Sequence, residues 1–507
     1  MSKQEIQHFR LLKKFLNSSL TDHTNLDINL YNKKINFKDV SDLSSALVKC
    51  TNLSVLKLNL EFNKLCHQSA SNLGQMLSKC SQLSFLELNL QQNQIQDLGL
   101  SNLVEGIAKL TNLSTLKMIL GQTQISDYGL SNLGTQLGKC TNLSVLKLTL
   151  TGNNIRDIGI TGLGFGLANC ILLTQLKICL ALNKIESFGT FDFACGLTKC
   201  TNISTLELNL HGNSIQDKGT QGLSSEIAKC INLSHLKLNL AFNNIFQAGA
   251  ADLGQGLSKL TNLSTLKLNL DQNKIHNAGL SELCSGLEKC INLSNFVIKL
   301  AVNKISDKGA SKLGQLMSKL IHIQNLEIDL LLNYIGEKGV SDLMSGLIQI
   351  TKLQHLRIDL GIRDTSVQLL GQYLLKFVYL QTLYLDLRGN KISKASIKQF
   401  ESHMFKIIRL AYYQLYYKRV LPQSDQEQRL EEEEELSDEQ EEEEEENEQQ
   451  VYSEEEIVKY DSQEEYEYES LKEIEEIGKN DKYDEVLDEE NSQSNQLDDI
   501  FQKYIFF

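Results

Sequence analysis

Lys117, Lys147, Lys177, Lys237 and Lys267 recur at one phase of a 30-residue period, and Lys57 and Arg357 share it. Each follows the second leucine or its equivalent in an alternating segment such as Val145-Leu-Lys-Leu-Thr149. Alternation of this kind marks a strand with one buried face, so these cations point to the opposite, open face. Ammonium groups in a row can hold carboxylates or phosphates. Glu87, Glu207 and Glu327 interrupt the row, and the next outward position carries Asn29, Asn59, Asn89, Asn209, Asn239 and Asn269. Lys117, Lys147 and Lys177 should stack about 5 Å apart on adjacent strands, where like charges are mildly destabilising. Two readings follow: solvated lysines repeated with the unit, or a site for an acidic partner. Under the second reading Lys117, Lys147, Lys177, Lys237 and Lys267 are the partner-binding residues.

Other chemistry finds little purchase. There is no C-x-x-C and no H-E-x-x-H. GTQLGKC at 134–140 is one spacing short of a phosphate-binding loop. GITGLGFGLA at 159–168 is rich in glycine but lies on a helix by repeat phase and does not complete G-x-G-x-x-G. The nine histidines show no paired spacing. An active site needs convergent groups, so the expectation is a chain that is not an enzyme, with no catalytic, cofactor-binding or metal-ligating residues. Seven of the 11 cysteines (Cys50, Cys80, Cys140, Cys170, Cys200, Cys230 and Cys290) fill one repeat position, which Leu110, Leu260, Leu320 and Ile350 fill elsewhere. A slot shared by Cys, Leu and Ile is apolar, and a buried Cys behaves as a small hydrophobe. Reduced thiols fit the cytoplasm or the nucleus. Asn-x-Ser sequons such as Asn52-Leu-Ser and Asn112-Leu-Ser are read as by-products of the repeat rather than glycosylation sites.

The elements that position the lysines come from the repeat itself. Residues 51–65 read TNLSVLKLNLEFNKL, and 141–155 and 261–275 repeat the pattern. A fixed period of this length means stacked supersecondary units, none able to bury its apolar face alone. In residues 81–110, Leu86, Leu88 and Leu90 point inward from a strand, and Asn93 makes a tight turn. Ile95 returns the chain to the core, and Asp97 is placed as the N-cap of a helix near 98–109. The turn asparagine recurs from 63 to 390, with Thr123 as one replacement, and I-x-D-x-G follows it in several units. Thirteen strands are predicted, from Leu26–Leu30 to Leu383–Leu387. Parallel strands stand about 4.8 Å apart and packed helices about 8–10 Å, which bends the stack. The predicted fold is an α/β solenoid, a horseshoe with parallel strands on the concave face and helices on the convex face.

This pattern, L-x-x-L-x-L-x-L-x-x-N as in Leu53-Leu56-Leu58-Leu60-Asn63, resembles the leucine-rich repeats of the ribonuclease-inhibitor type, a family that includes Ran GTPase-activating proteins. It departs from the family's L-x-x-L-x-L-x-x-N by two residues in the strand. The resemblance implies a protein ligand on the concave face. It also raises activation of a Ran-like small GTPase as an alternative. No counterpart of that family's catalytic loop is found, and no role is carried onto Arg156, which stands on an early turn.

The organisation read from the chain is a helical cap over 1–20, about 13 repeats over 21–393, a capping helix over 394–421 and a disordered acidic tail over 422–507. The first cap is an amphipathic helix over 4–16. The second extends to 419, with Ile397, Phe400, Met404 and Ile407 inward. The unit at 351–377 is three residues short and reads GIRDTS at 361–366 in place of the turn. The lone proline, Pro422, ends the folded body. Residues 421–507 hold 35 Asp and Glu against 6 Lys and Arg, a net of −29, which leaves 29 acids against 44 bases, a net of +15, on the rest. Such asymmetry signals an interaction tail. It suggests modulation of the concave face, or recruitment of basic proteins, histones among them. Ser453, Ser462 and Ser470 precede acids at +3, and the apolar last residues, LDDIFQKYIFF, read equally as a docking motif or a plain terminus. No apolar run reaches the ~18 residues a membrane span needs, no targeting segment is visible, and nucleic acid is not expected as a partner. The predicted function is a protein-interaction scaffold in the cytoplasm or the nucleus.

Overall fold

The computed structural model describes residues 6–361, 364–387, 392–407 and 409–416. The chain divides into two units, Met1–Val420 and Leu421–Phe507. The second lies outside the described residues, and with it the expected acidic tail, its serines and Pro422. The Asn390 turn also lies outside them.

Fifteen strands form one parallel sheet in strict chain order. They are β1 (Gln7–Phe9), β2 (Asn25–Asn29), β3 (Val55–Asn59), β4 (Phe85–Asn89), β5 (Thr115–Ile119), β6 (Val145–Thr149), β7 (Gln175–Cys179), β8 (Thr205–Asn209), β9 (His235–Asn239), β10 (Thr265–Asn269), β11 (Asn295–Lys299), β12 (Asn325–Leu330), β13 (His355–Leu360), β14 (Thr382–Asp386) and β15 (Tyr412–Tyr416). A helix follows each strand from β2 to β14. One continuous apolar core runs between sheet and helices from Phe15 to Ile407.

The turn asparagine works across repeats as well as within its own. Asn93 Nδ2 donates to the carbonyl of Leu90 at 2.9 Å and to that of Leu60 at 3.0 Å. Its Oδ1 accepts from the N–H of Leu65 at 2.8 Å and of Asn63 at 3.2 Å. The ladder continues through Asn153, Asn183, Asn213, Asn243, Asn273, Asn303 and Asn333. Buried backbone groups that no strand or helix satisfies find their partner there. Thr123 keeps only one such carbonyl contact, 2.6 Å to Leu120 O.

Asp97 is not the N-cap of its own helix. That helix, Gln96–Ile107, is capped at Ile95, and the Asp97 carboxylate accepts the N–H of Ser126, the N-cap of the next helix, at 2.8 Å. Asp127 does the same for Arg156 at 2.7 Å, Asp157 for Glu186 at 2.7 Å and Asp217 for Phe246 at 2.7 Å. The glycine of I-x-D-x-G is the other half of this clip. A Cβ at Gly159 would stand 2.6 Å from Asp127 Oδ1, and one at Gly129 would crowd Asp97 Oδ1 in the same way. The motif therefore joins the aspartate of one repeat to the glycine of the next.

The sequon asparagines form a second, exposed ladder. Asn112 Nδ2 donates to Ser81 O, Asn142 to Thr111 O, Asn202 to Ile171 O and Asn232 to Thr201 O, at 2.7–3.0 Å. The sequon serines reach back as well, Ser54 to Thr24 O at 3.2 Å and Ser114 to Ser84 O at 3.1 Å. Both sequon positions thus clip repeats together.

Both ends differ from expectation. In place of a helix over 4–16, β1 pairs with β2 and a short helix, Leu12–Leu16, buries Phe15. The free edge of β2 needs backbone partners, and β1 supplies them. His8 and Arg10 also reach Asp27 on β2, at 2.9 and 3.5 Å. At the other end the helix covers Lys394–Met404 and stops well before 419. Ile397, Phe400, Met404 and Ile407 are buried as expected. The chain then adds β15 beside β14, with Tyr412 opposite Thr382. That offset is one full period, and tyrosines favour a pleated, half-buried strand.

Candidate ligand-binding face

The strand register draws Asp27, Lys57, Glu87, Lys117, Lys147, Lys177 and Glu207 into one line across the sheet. The line continues through Lys237, Lys267, Val297, Glu327, Arg357, Tyr384 and Gln414. All five candidate lysines stand on it. The line does not treat them alike. Lys117 turns to Glu87, Nζ to Oε2 at 3.2 Å, and Lys177 turns to Glu207, Nζ to Oε1 at 2.5 Å. The two glutamates thus bracket the triple-lysine stack and draw its outer members apart. Exposed pairs of this kind contribute only about 0–1 kcal/mol each, but they leave Lys147 alone in the middle. Lys147, Lys237 and Lys267 are exposed, and none of them has an ion-pair partner among the described residues.

The second outward row sorts the face into four stretches. On β2 to β4 it holds Asn29, Asn59 and Asn89, and on β8 to β10 Asn209, Asn239 and Asn269. Each of these accepts the N–H two residues on, as Asn239 does from Ala241 at 3.1 Å and Asn269 from Asp271 at 2.9 Å. On β5 to β7 the row is Ile119, Thr149 and Cys179. On β11 to β14 it becomes Lys299, Asp329, Asp359 and Asp386, in register on neighbouring strands.

That last stretch is one the sequence reading missed. Asp329 keeps the asparagine role, accepting from Leu331 N at 2.9 Å. Asp359 accepts from Asp386 N and from Arg357 Nε, both at 3.1 Å. Burial pushes the Asp359 carboxyl up to about 7, with Arg357 pulling it down and Asp329 and Asp386 adding to the rise. Burial likewise raises Asp329 to about 6. Lys299 approaches Glu327 at 3.6 Å. Beside this row lies an open groove of about 270 Å³ lined by Lys267, Val297, Glu327, His355, Arg357 and Tyr384, among others. The signal was present, since Asp replaces Asn at one repeat phase, but an Asn-only count ends at 269.

The remaining candidates fall into structural roles. GTQLGKC and GITGLGFGLA lie in and just after the helices Asp127–Leu137 and Asp157–Leu167. Gly134 and Gly164 pack against the backbone of the following helix. All eleven cysteines are free thiols. Burial pushes Cys50, Cys80, Cys140, Cys200, Cys230 and Cys290 up to about 11 and Cys170 to about 12. Among the described residues no group of three or more His, Cys, Asp or Glu is disposed to hold a metal ion, and no helix is long and apolar enough to cross a membrane.

Residues 82–104 and 262–284 match the family model described as a leucine-rich repeat. The fold is a leucine-rich-repeat solenoid. No curated protein matches the chain. Among solved structures, a chain from the crystal structure of the Rad7 and Elc1 complex in yeast is similar at 17% identity and a TM-score of 0.41, over 77% of this chain and 89% of that one.

Proposed function

We propose that the solenoid is a protein-interaction scaffold of the ribonuclease-inhibitor type that holds a partner on its concave sheet face. Lys117, Lys147, Lys177, Lys237 and Lys267 are its contact residues. The observation that carries this reading is the register-aligned row in which Lys147, Lys237 and Lys267 stand exposed without an ion-pair partner among the described residues. These three have an unpaired charge to offer, and Lys117 and Lys177 add theirs when a ligand displaces their weak pairs with Glu87 and Glu207. The acid-rich C-terminal segment, at a net of −29 from 35 acids and 6 bases, competes with an acidic ligand for this face and can recruit basic proteins. Eleven free thiols, most of them buried, suit a reducing compartment, the cytoplasm or the nucleus.

Activation of a Ran-like GTPase is the alternative that the family resemblance suggests, and it draws no support from the site. Arg156 is exposed at a helix N-terminus, its backbone N–H bound to Asp127, and its guanidinium makes no ion pair among the described residues.

The test uses the full chain with a photo-reactive phenylalanine analogue in place of Thr149 on the sheet face, or in place of Tyr128, which is 69% exposed on the helix face. In extract of the source cell the first should give a discrete protein adduct and the second should not. Adducts from the helix face alone would overturn the reading.

A further inference from the structure

We infer that the sheet face over β8 to β10 is a carboxylate-reading subsite that takes an acidic polypeptide segment. The inference rests on the scaffold reading above and narrows it to one stretch and one ligand chemistry.

The argument is an accounting of donors and acceptors. Asn209, Asn239 and Asn269 each give their Oδ1 to the N–H two residues on, at 3.0, 3.1 and 2.9 Å. That contact fixes the amide orientation, because only the oxygen can accept. The NH2 groups are therefore turned outward, and none has a partner among the described residues. Lys237 and Lys267 stand beside them on β9 and β10, exposed and without an ion pair. The acid on one side of the pair, Glu207, is held by Lys177 at 2.5 Å, and the residue on the other side is Val297. So two ammonium groups and three amides face outward with no free carboxylate between them.

None of the other three stretches sets lysine and outward amide together on two adjacent strands. On β2 to β4, Asp27 and Glu87 flank Lys57, and the Asn89 amide donates to Glu61 at 2.8 Å. On β5 to β7, Lys117 and Lys177 are taken by glutamates and the second row holds no amide. On β11 to β14 the second row carries aspartates. Among the described strands only β9 and β10 are neighbours that both carry a lysine and an asparagine in the two outward rows with no acid in either row.

The spacing suits a polypeptide. Lys237 and Asn239, or Lys267 and Asn269, lie two residues apart on one strand, about 7 Å, and the two strands stand about 4.8 Å apart. Alternate residues of an extended chain are also about 7 Å apart, so along the strand direction one acidic side chain of such a segment can meet the two ammonium groups and the next but one the two amides. Carboxylate oxygens have lone pairs for both. Nucleic acid fits less well. It calls for a longer run of cations and for aromatic faces on which bases stack, and this stretch offers two lysines.

Fluorescence anisotropy with the full chain tests the inference. The probe is a labelled oligo-glutamate peptide of about ten residues, with an oligo-glutamine peptide and a single-stranded oligonucleotide of equal length as comparisons. Two double variants are made, Lys237→Gln with Lys267→Gln, and Asn239→Asp with Asn269→Asp. The second keeps the backbone contact, as Asp329 does in the native chain, so loss of fold is not at issue. Each should weaken oligo-glutamate binding about tenfold or more, while Lys218→Gln, exposed on the helix Gln216–Ile227, should change it little. Unchanged binding in both double variants overturns the inference. So does an oligonucleotide that binds as well as the peptide and responds to the same variants. A partner crosslinked at Thr149 with no oligo-glutamate binding would leave the scaffold reading standing and remove this one.

Discussion

Replacing Asn243 with alanine removes a side chain that serves two repeats at once. Its Nδ2 donates to Leu210 O and Ala241 O, both at 2.9 Å, and its Oδ1 accepts from Ile215 N at 3.3 Å. Asn243 is fully buried, so water cannot take over these contacts. Ile215 N–H alone is left without a partner, since Leu210 O keeps Asn213 Nδ2 at 2.9 Å and Ala241 O keeps Gly212 N at 3.0 Å; an orphaned buried group costs about 1–3 kcal/mol. With the two further hydrogen bonds lost at about 0.5–1.5 kcal/mol each, the substitution should cost about 2–6 kcal/mol. Asn239→Ala is the control, because it frees a single N–H, that of the buried Ala241, and should cost about 1–2 kcal/mol. Asn243→Thr should fall between the two, as Thr123 retains a single carbonyl contact. A long repeat array need not unfold in one step, so amide hydrogen exchange should accompany urea denaturation. Lost protection should centre on β8 and β9 and fade within a repeat or two. If Asn243→Ala costs no more than Asn239→Ala, the ladder does not hold the stack and the reasoning fails.

Four further outcomes are expected. Leu146→Ala, at a fully buried position, should cost about 2–5 kcal/mol, and Lys147→Ala under about 0.5 kcal/mol; thermal melts in the reverse order would invert the strand phase. Native thiol labelling should reach Cys66 first, because hydrogen bonds around Ser69 and Gln68 outweigh its partial burial and lower its pKa. Cys170 and Cys284, pushed up to about 12 by burial, should label only on unfolding, and a denatured count below eleven thiols would indicate disulfides. The third outcome concerns pH. Asp359 holds its proton in the folded state up to about 7, whereas the unfolded chain releases it near 4. The folded state binds more protons in that window, so stability around β13 should rise as pH falls from 7 towards 4, by roughly 1 kcal/mol or more. Exchange protection factors at pH 7.5 and 5 measure this, and Asp359→Asn should reduce the dependence to the part owed to Asp329, which burial raises to about 6. Finally, catalytic amounts of the chain should leave GTP hydrolysis by a Ran-type GTPase unchanged; acceleration of about 10³-fold or more would replace the scaffold reading with the activator one.

The period alone determined a great deal. Inward leucines such as Leu86 and Leu146, the turn asparagines and the apolar cysteine slot all follow from residue type at a fixed phase. A parallel stack with a 30-residue repeat must place equal phases side by side, so the lysine row was legible before any coordinates. What each lysine does there was not. Lys117 and Lys177 find glutamates and Lys147 does not, because pairing depends on the neighbour across the ladder and on where a long side chain swings. The I-x-D-x-G motif looked local, yet its aspartate and glycine act between repeats, a relation visible only once adjacent helices are stacked. The ends also escaped the pattern. An apolar helical spacing over 4–16 says nothing of the open edge of β2, and it was the unpaired backbone of that edge, with the same need at β14, that drew Gln7–Phe9 and Tyr412–Tyr416 into strands. Repeat phase sets which residues can meet; the tertiary structure decides which of them are satisfied and which, like Lys237 and Lys267, still face outward.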